Sequence, residues 1–204
     1  MIPAPCRSRS RTPHLAFRGP AEDAVRVAGA VDALVVEGPL PPGLRGRIGP
    51  KRLILALDRP DAPLPAEAPD AVLLAARSGR DVAALGARLA VHEAEHGWPD
   101  GRLRILAAIA DPLGVLEARG FVGASPRLDG LGFDGAALAA SLGTDPAGET
   151  VAQARALVRL AAAAAGVTAF ATLEPGGLAG AAAGRDSFDL LIARDPGALT
   201  PFSR

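Results

Sequence analysis

Residues 103–143 read LRILAAIADPLGVLEARGFVGASPRLDGLGFDGAALAASLG. Leu103 to Ile109 is an apolar run of strand length, and Pro112 opens a helical stretch that reaches Arg119. Leu128 to Phe133 is a second apolar run and Gly135 to Leu142 a second helical stretch. Strands separated by a helical crossover pair in parallel, since only antiparallel neighbours can be joined by a tight turn. The stretch is therefore one βα unit followed by another.

The same alternation runs outward in both directions. His14–Phe17, Ala33–Glu37, Arg52–Leu57, Ala71–Ala75, Thr168–Thr172 and Asp189–Ala193 have strand length and apolar character, which brings the candidates to eight. Helical spacing covers Ala21–Gly29, Asp81–His96 and Gly148–Ala165; in the second of these Val82, Leu85 and Leu89 form an apolar face. Asp145 before Pro146 supplies an N-cap for the long helix around Val151–Ala165. Runs such as DALVV and DAVLLAA lack polar alternation, as parallel strands covered on both faces do. The expected fold is α/β, a single parallel (β/α)8 TIM-type barrel. Two crossovers, GPLPPGLRGRIGP at 38–50 and DRPDAPLPAEAP at 58–69, are proline-rich and hold at most one or two helical turns. Only about ten residues follow the last strand, so the barrel is read as trimmed at its C-terminal end. Residues 1–11, with Arg7, Arg9 and Arg11, read as a flexible basic tail and 12–204 as the barrel domain.

Composition excludes several classes. Formal net charge is zero with both signs spread along the chain, so nucleic acid is not an expected partner. Cys6 is the only cysteine, which leaves no internal disulfide and no thiolate pair for a metal. No run of eighteen apolar residues occurs, so no membrane association is expected and the natural location is the cytoplasm.

From Val82 to Gly143 the chain carries EAEHG at a helix end, then RLRILAAIA, PLGVLEA, ASPRLDGLGF and LAASLG in order. This series resembles the citrate lyase β-subunit-like branch of the HpcH/HpaI aldolase family, with weaker likeness in VDALVVEG, PDAVLLAARSGRDVAAL and ARALVRLAAAAAGVTAF. The resemblance implies a (β/α) barrel that makes or cleaves carbon–carbon bonds in CoA thioesters or sugar acids, with Mg2+ stabilising an enolate. It also implies a homo-oligomer, and a small organic acid or acyl-CoA as ligand.

Carried over residue by residue, the resemblance fails at its chemistry. The family's I-E-T-P motif stands here as Ile109, Ala110, Asp111, Pro112, so alanine occupies the glutamate ligand's place. In F-G-A-E-D-L the second carboxylate falls on Ala137. The arginine of R-V-N falls near Ala56, and the lysine of P-K-V-E-S on Ala76. The expectation is a catalytically impaired lyase-like protein without a cofactor. The alternative is an active lyase in which Asp111 and Asp134, with Glu37, form a relocated Mg2+ site.

A barrel presents its functional groups at the C-terminal strand ends, which here carry Arg18, Glu37, Asp58, Arg77, Asp111, Asp134, Glu174 and Arg194. Glu37, Arg18 and Arg77 are the catalytic candidates. For Asp111 and Asp134 a role as helix N-caps competes with metal binding. Lys51, the only lysine, begins the third strand at the opposite end and cannot serve as a Schiff base in the site. His92–His96 spells H-E-x-x-H, the zincin pattern, but ends a helix leading away from the active face and is read as a surface coincidence.

Overall fold

The computed structural model describes residues 13–173, 188–197 and 199. Eight strands close a parallel barrel in chain order: β1 (His14–Pro20), β2 (Ala33–Glu37), β3 (Arg52–Leu57), β4 (Ala71–Ala75), β5 (Arg104–Ile109), β6 (Leu128–Phe133), β7 (Thr168–Leu173) and β8 (Leu190–Ala193). Closure is made by β1 against β8, with His14 opposite Leu190. The helices are α1 (Ala21–Val27), α2 (Leu44–Ile48), α3 (Gly79–Glu95), α4 (Pro112–Leu116), α5 (Gly135–Leu142) and α6 (Glu149–Ala165). All eight expected strands are present, and the expected (β/α) barrel is the observed one. No helix among the described residues is long and apolar enough to cross a membrane. The basic tail lies outside the described residues.

Three aspartates set the register at the N-terminal rim. Asp32, which precedes β2, donates its N–H to the Leu15 carbonyl at 2.8 Å and accepts the Leu15 N–H on its carboxylate at 2.9 Å. Asp70 before β4 does the same to Leu53, at 2.8 and 2.7 Å, and Asp189 before β8 to Ala169, at 2.9 and 3.0 Å. Each side chain completes a backbone ladder one step beyond the strand, so sliding by one residue would break both bonds.

That register sorts the strand residues into two cores. Ala16, Ala33, Val35, Ile54, Ala71, Leu73, Leu106, Ala108, Phe170, Leu190 and Ile192 fill the barrel interior. Their sequence neighbours, among them Phe17, Leu34, Leu74, Ile109 and Phe133, face the helix layer and pack with Leu85, Leu89, Phe121 and Val158. Small residues make the interior narrow enough to close. A Cβ on Gly132 would lie 2.2 Å from the ring of Phe170, its partner across β6 and β7, so only glycine admits that ring.

The helices differ from expectation at their ends. α6 begins at Glu149 after Gly148, while the Asp145 carboxylate accepts the Ala147 N–H two residues on and so builds a turn, not the cap assigned to it. α4 stops at Leu116 and gives way to a 3-10 turn at Ala118–Phe121. The first proline-rich crossover holds only α2, and the second has no helix. Beyond β8 the described residues reach Gly197 and Leu199, and Leu199 is buried in the outer core.

Replacing Asp70 by alanine, which removes the bond from Leu53 and the part-exposed ion pair with Arg45, is expected to cost about 1–2 kcal/mol in denaturant unfolding. Asn, whose amide oxygen still accepts the Leu53 N–H, should restore most of it. Equal losses for both variants would show that charge, not the ladder bond, is what Asp70 supplies.

Candidate functional site

Strand parity decides which strand-end residues face the mouth of the barrel. Counting by twos from the interior positions Ala16, Val35, Ala108 and Ile192 reaches Arg18, Glu37, Ala110 and Arg194. All four line a cavity of ≈ 1080 Å³ at the C-terminal end, together with Asp58, Glu67 and Asp134. Pro39, Leu40, Pro63, Leu64 and Pro65, from the two proline-rich crossovers, supply an apolar wall. Proline fixes φ and donates no N–H, so these loops form a wall of little polarity without needing a helix.

Two ion pairs stand at the mouth. Arg18 Nε donates to Glu37 Oε1 at 2.7 Å. Arg194 Nη2 donates to Asp134 Oδ2 at 2.6 Å, and the Asp134 side chain is only 4% exposed. Its other oxygen accepts the Ala137 N–H at 3.2 Å and so caps α5. Both oxygens of Asp134 are thus in use.

Asp111 and Arg77 are placed elsewhere. Asp111 follows the outward-facing Ile109 by two and has the wrong parity for the cavity, which it does not line; its carboxylate caps α4 through the Gly114 N–H at 3.1 Å. Arg77 is exposed, and its N–H and that of Ser78 are accepted by the Asp81 carboxylate at the start of α3. Glu174 lies outside the described residues. Glu67 is a lining residue that sequence reasoning missed: it comes from a loop with no periodicity, and it accepts the Gly43 N–H across the two crossovers at 3.3 Å.

A sequence model of the HpcH/HpaI aldolase/citrate lyase family matches residues 68–177. The chain belongs to that family. Among curated proteins none matches it in sequence. RipC from Yersinia pestis is 19% identical, with 94% of this chain and 93% of that one covered at a TM-score of 0.66. An HpcH/HpaI aldolase/citrate lyase family protein from Burkholderia cenocepacia is 16% identical, covering 93% and 91% at 0.70. CitE from Mycobacterium tuberculosis, solved in complex with magnesium and acetate, is 18% identical, covering 92% and 88% at 0.64. At these identities the likeness is one of fold.

Within this family member, the two positions that motif matching gives to metal carboxylates, Ala110 and Ala137, both line the cavity as methyl groups. The H-E-x-x-H run sits on the outside of the barrel, at the end of α3, and its glutamate is not free to act as a base. Glu93 is buried, 1% exposed; it pairs with Arg127 at 2.7 Å and accepts the N–H groups of Gly101 and Leu103 at 2.9 and 2.6 Å. Burial alone would push its carboxyl up. The Arg127 hydrogen bond, the two backbone bonds and the Arg127 charge outweigh that and hold it below its ordinary value.

A carboxyl that titrates lower when folded contributes stability that is complete above its unfolded value of about 4.3 and is lost as pH falls through the lower folded value. Glu93→Gln is expected to cost about 3 kcal/mol at neutral pH, because Arg127 is left buried without its main counter-charge. The gap between wild type and variant, read by urea unfolding, should narrow steadily below about pH 4.3. A gap that stays constant down to pH 3 would show that the charge of Glu93 is not what stabilises the fold here.

Proposed function

We propose that this chain is a citrate lyase β-subunit-like pseudoenzyme, one that keeps a ligand-binding barrel mouth but not magnesium-assisted carbon–carbon cleavage. The observation that carries the reading is the state of Asp134, whose two oxygens are committed to Arg194 and to the α5 cap. Mg2+ demands a near-octahedral set of oxygens and gives up its water reluctantly. Here Ala110 and Ala137 offer none, Asp111 stands outside the cavity, Glu37 is held by Arg18 and Glu67 accepts the Gly43 N–H, so that Asp58 is the one lining carboxylate among the described residues that neither a cation nor an N–H engages. The residues present do not fit the ion.

What the mouth can do is bind. Its ligand class is a small organic acid or an acyl-CoA; CitE from Mycobacterium tuberculosis, of the same fold, has been solved with magnesium, acetoacetate and coenzyme A. The proline and leucine wall takes the acyl part. A carboxylate or thioester oxygen draws Arg18 or Arg194 from its present partner, so the polar end gains little and the apolar end supplies most of the affinity. The same reading takes the protein as a cytoplasmic homo-oligomer, with Leu113 and Leu116 on α4 and Leu160 on α6 exposed as a face for a second copy.

Millimolar Mg2+ or Mn2+ should leave the melting temperature unchanged, whereas an acyl-CoA should raise it without metal, since any ligand selective for the folded state stabilises by mass action. Removing Leu64 by substitution with serine should weaken that rise more than Arg194→Gln does. A metal-dependent rise abolished by Asp134→Ala, together with cleavage of an acyl-CoA, would instead establish the relocated lyase site with Glu37.

A further inference from the structure

We propose that His92 and Glu95, on the last turn of α3, and His96, which caps it, form a surface site for a borderline divalent transition metal such as Zn2+ or Cu2+. The site is independent of the ligand at the barrel mouth and is not a zincin, because Glu93 is engaged with Arg127 and the turn that follows α3. Spacings of three and four residues put the trio on one helix face, and one ligand atom from each lies within 4.8 Å of the others. Donors around one zinc ion, bonded at about 2.0–2.2 Å, stand closer than that. Glu95 and His96 are exposed side chains that can turn inward by the difference.

The hydrogen bonds of the two rings prepare them for a cation. His92 Nε2 lies 2.9 Å from the Pro65 carbonyl, and His96 Nδ1 lies 2.9 Å from the His92 carbonyl. A carbonyl only accepts, so each of those nitrogens carries the proton. In the neutral rings the lone pairs are therefore on His92 Nδ1 and His96 Nε2. One nitrogen donating to a carbonyl while the other faces the ion is the arrangement found around protein-bound metals, where it fixes tautomer and ring orientation. The rings also support one another: His92 and His96 have centroids 4.1 Å apart, and Trp98 stands 5.3 Å and 4.8 Å from them. Arg88, one turn earlier, directs its guanidinium to the carbonyls of Pro60 and Ala62.

The donor set selects the ion. Two imidazoles and one carboxylate suit zinc, copper or nickel, while magnesium and calcium prefer oxygen alone. Because the outer hydrogen bond of His92 goes to Pro65, a bound ion locks the tautomer that holds the cavity-wall loop against α3.

Trp98 is the only tryptophan and lies against both rings, so its fluorescence reports the site directly. The untagged full chain, with Cys6 replaced by serine to remove the one thiolate, is titrated with Cu2+ and then with Zn2+ as competitor. Saturable quenching at one equivalent, reversed by Zn2+ and untouched by Mg2+, is expected. His96→Ala and Glu95→Gln, both at exposed positions, should weaken it roughly tenfold or more, while His14→Ala leaves it unchanged and the metal-free melting temperature of every variant stays at the parent value. Quenching that does not saturate, or that survives in His96→Ala, overturns the proposal.

Discussion

Register is the constraint on which everything else in this barrel depends. In a closed parallel sheet each residue faces either the interior or the helix layer, and a slip of one position exchanges the two sets along a whole strand. Asp32, Asp70 and Asp189 prevent that slip by binding both the N–H and the C=O of one residue on the neighbouring strand. They sit at the N-terminal rim, about as far from the mouth as a strand allows. Their consequence is felt at the mouth all the same, since parity fixed at Asp32 determines that Glu37 enters the cavity five residues later.

Interior packing follows from the same parity. Four strands contribute only small residues to part of the inner layer, Ala16, Ala71, Ala108 and Gly132, and the space is taken up by Phe170, Leu106, Ile54 and Ile192. Such alternation of small and large lets a narrow barrel close without voids or overlap. It also sets Leu73 and Ala108, both buried, among the lining of the cavity at the mouth.

The strands were legible because burial on both faces leaves continuous apolar runs, and DALVV or DAVLLAA has no other economical reading. The Asp that opens those two runs and the one before Leu190 is equally visible, yet its bond to the adjacent strand is a tertiary contact that local pattern does not report. Asp111 could have been excluded as a cavity residue by counting twos from Ala108; it was drawn in by lying next to Ala110 in sequence, which in a strand means the opposite face. Glu67 and the proline wall carried no such signal, because loop residues have no period. Residue type alone points to Asp145 as the cap, but Gly148 takes the position because the intervening residues form a turn closed by Asp145 itself.

Charge balance at the mouth turns on Asp134 and Arg194. Asp134 is nearly enclosed, and a carboxylate removed from water must be met by a cation or by enough hydrogen bonds to replace its hydration. Arg194 and the Ala137 N–H meet both needs from within the chain. A divalent ion placed there would have to displace Arg194 and expose its charge, and the side chains of Ala110 and Ala137 would supply it no oxygen. The attraction of one carboxylate does not offset that, since a hard cation keeps its water unless several oxygens converge. An arginine, by contrast, needs only one oxygen of Asp134 and leaves the other to the Ala137 N–H. The charge of Asp134 is therefore met within the chain, by Arg194 on one oxygen and the start of α5 on the other.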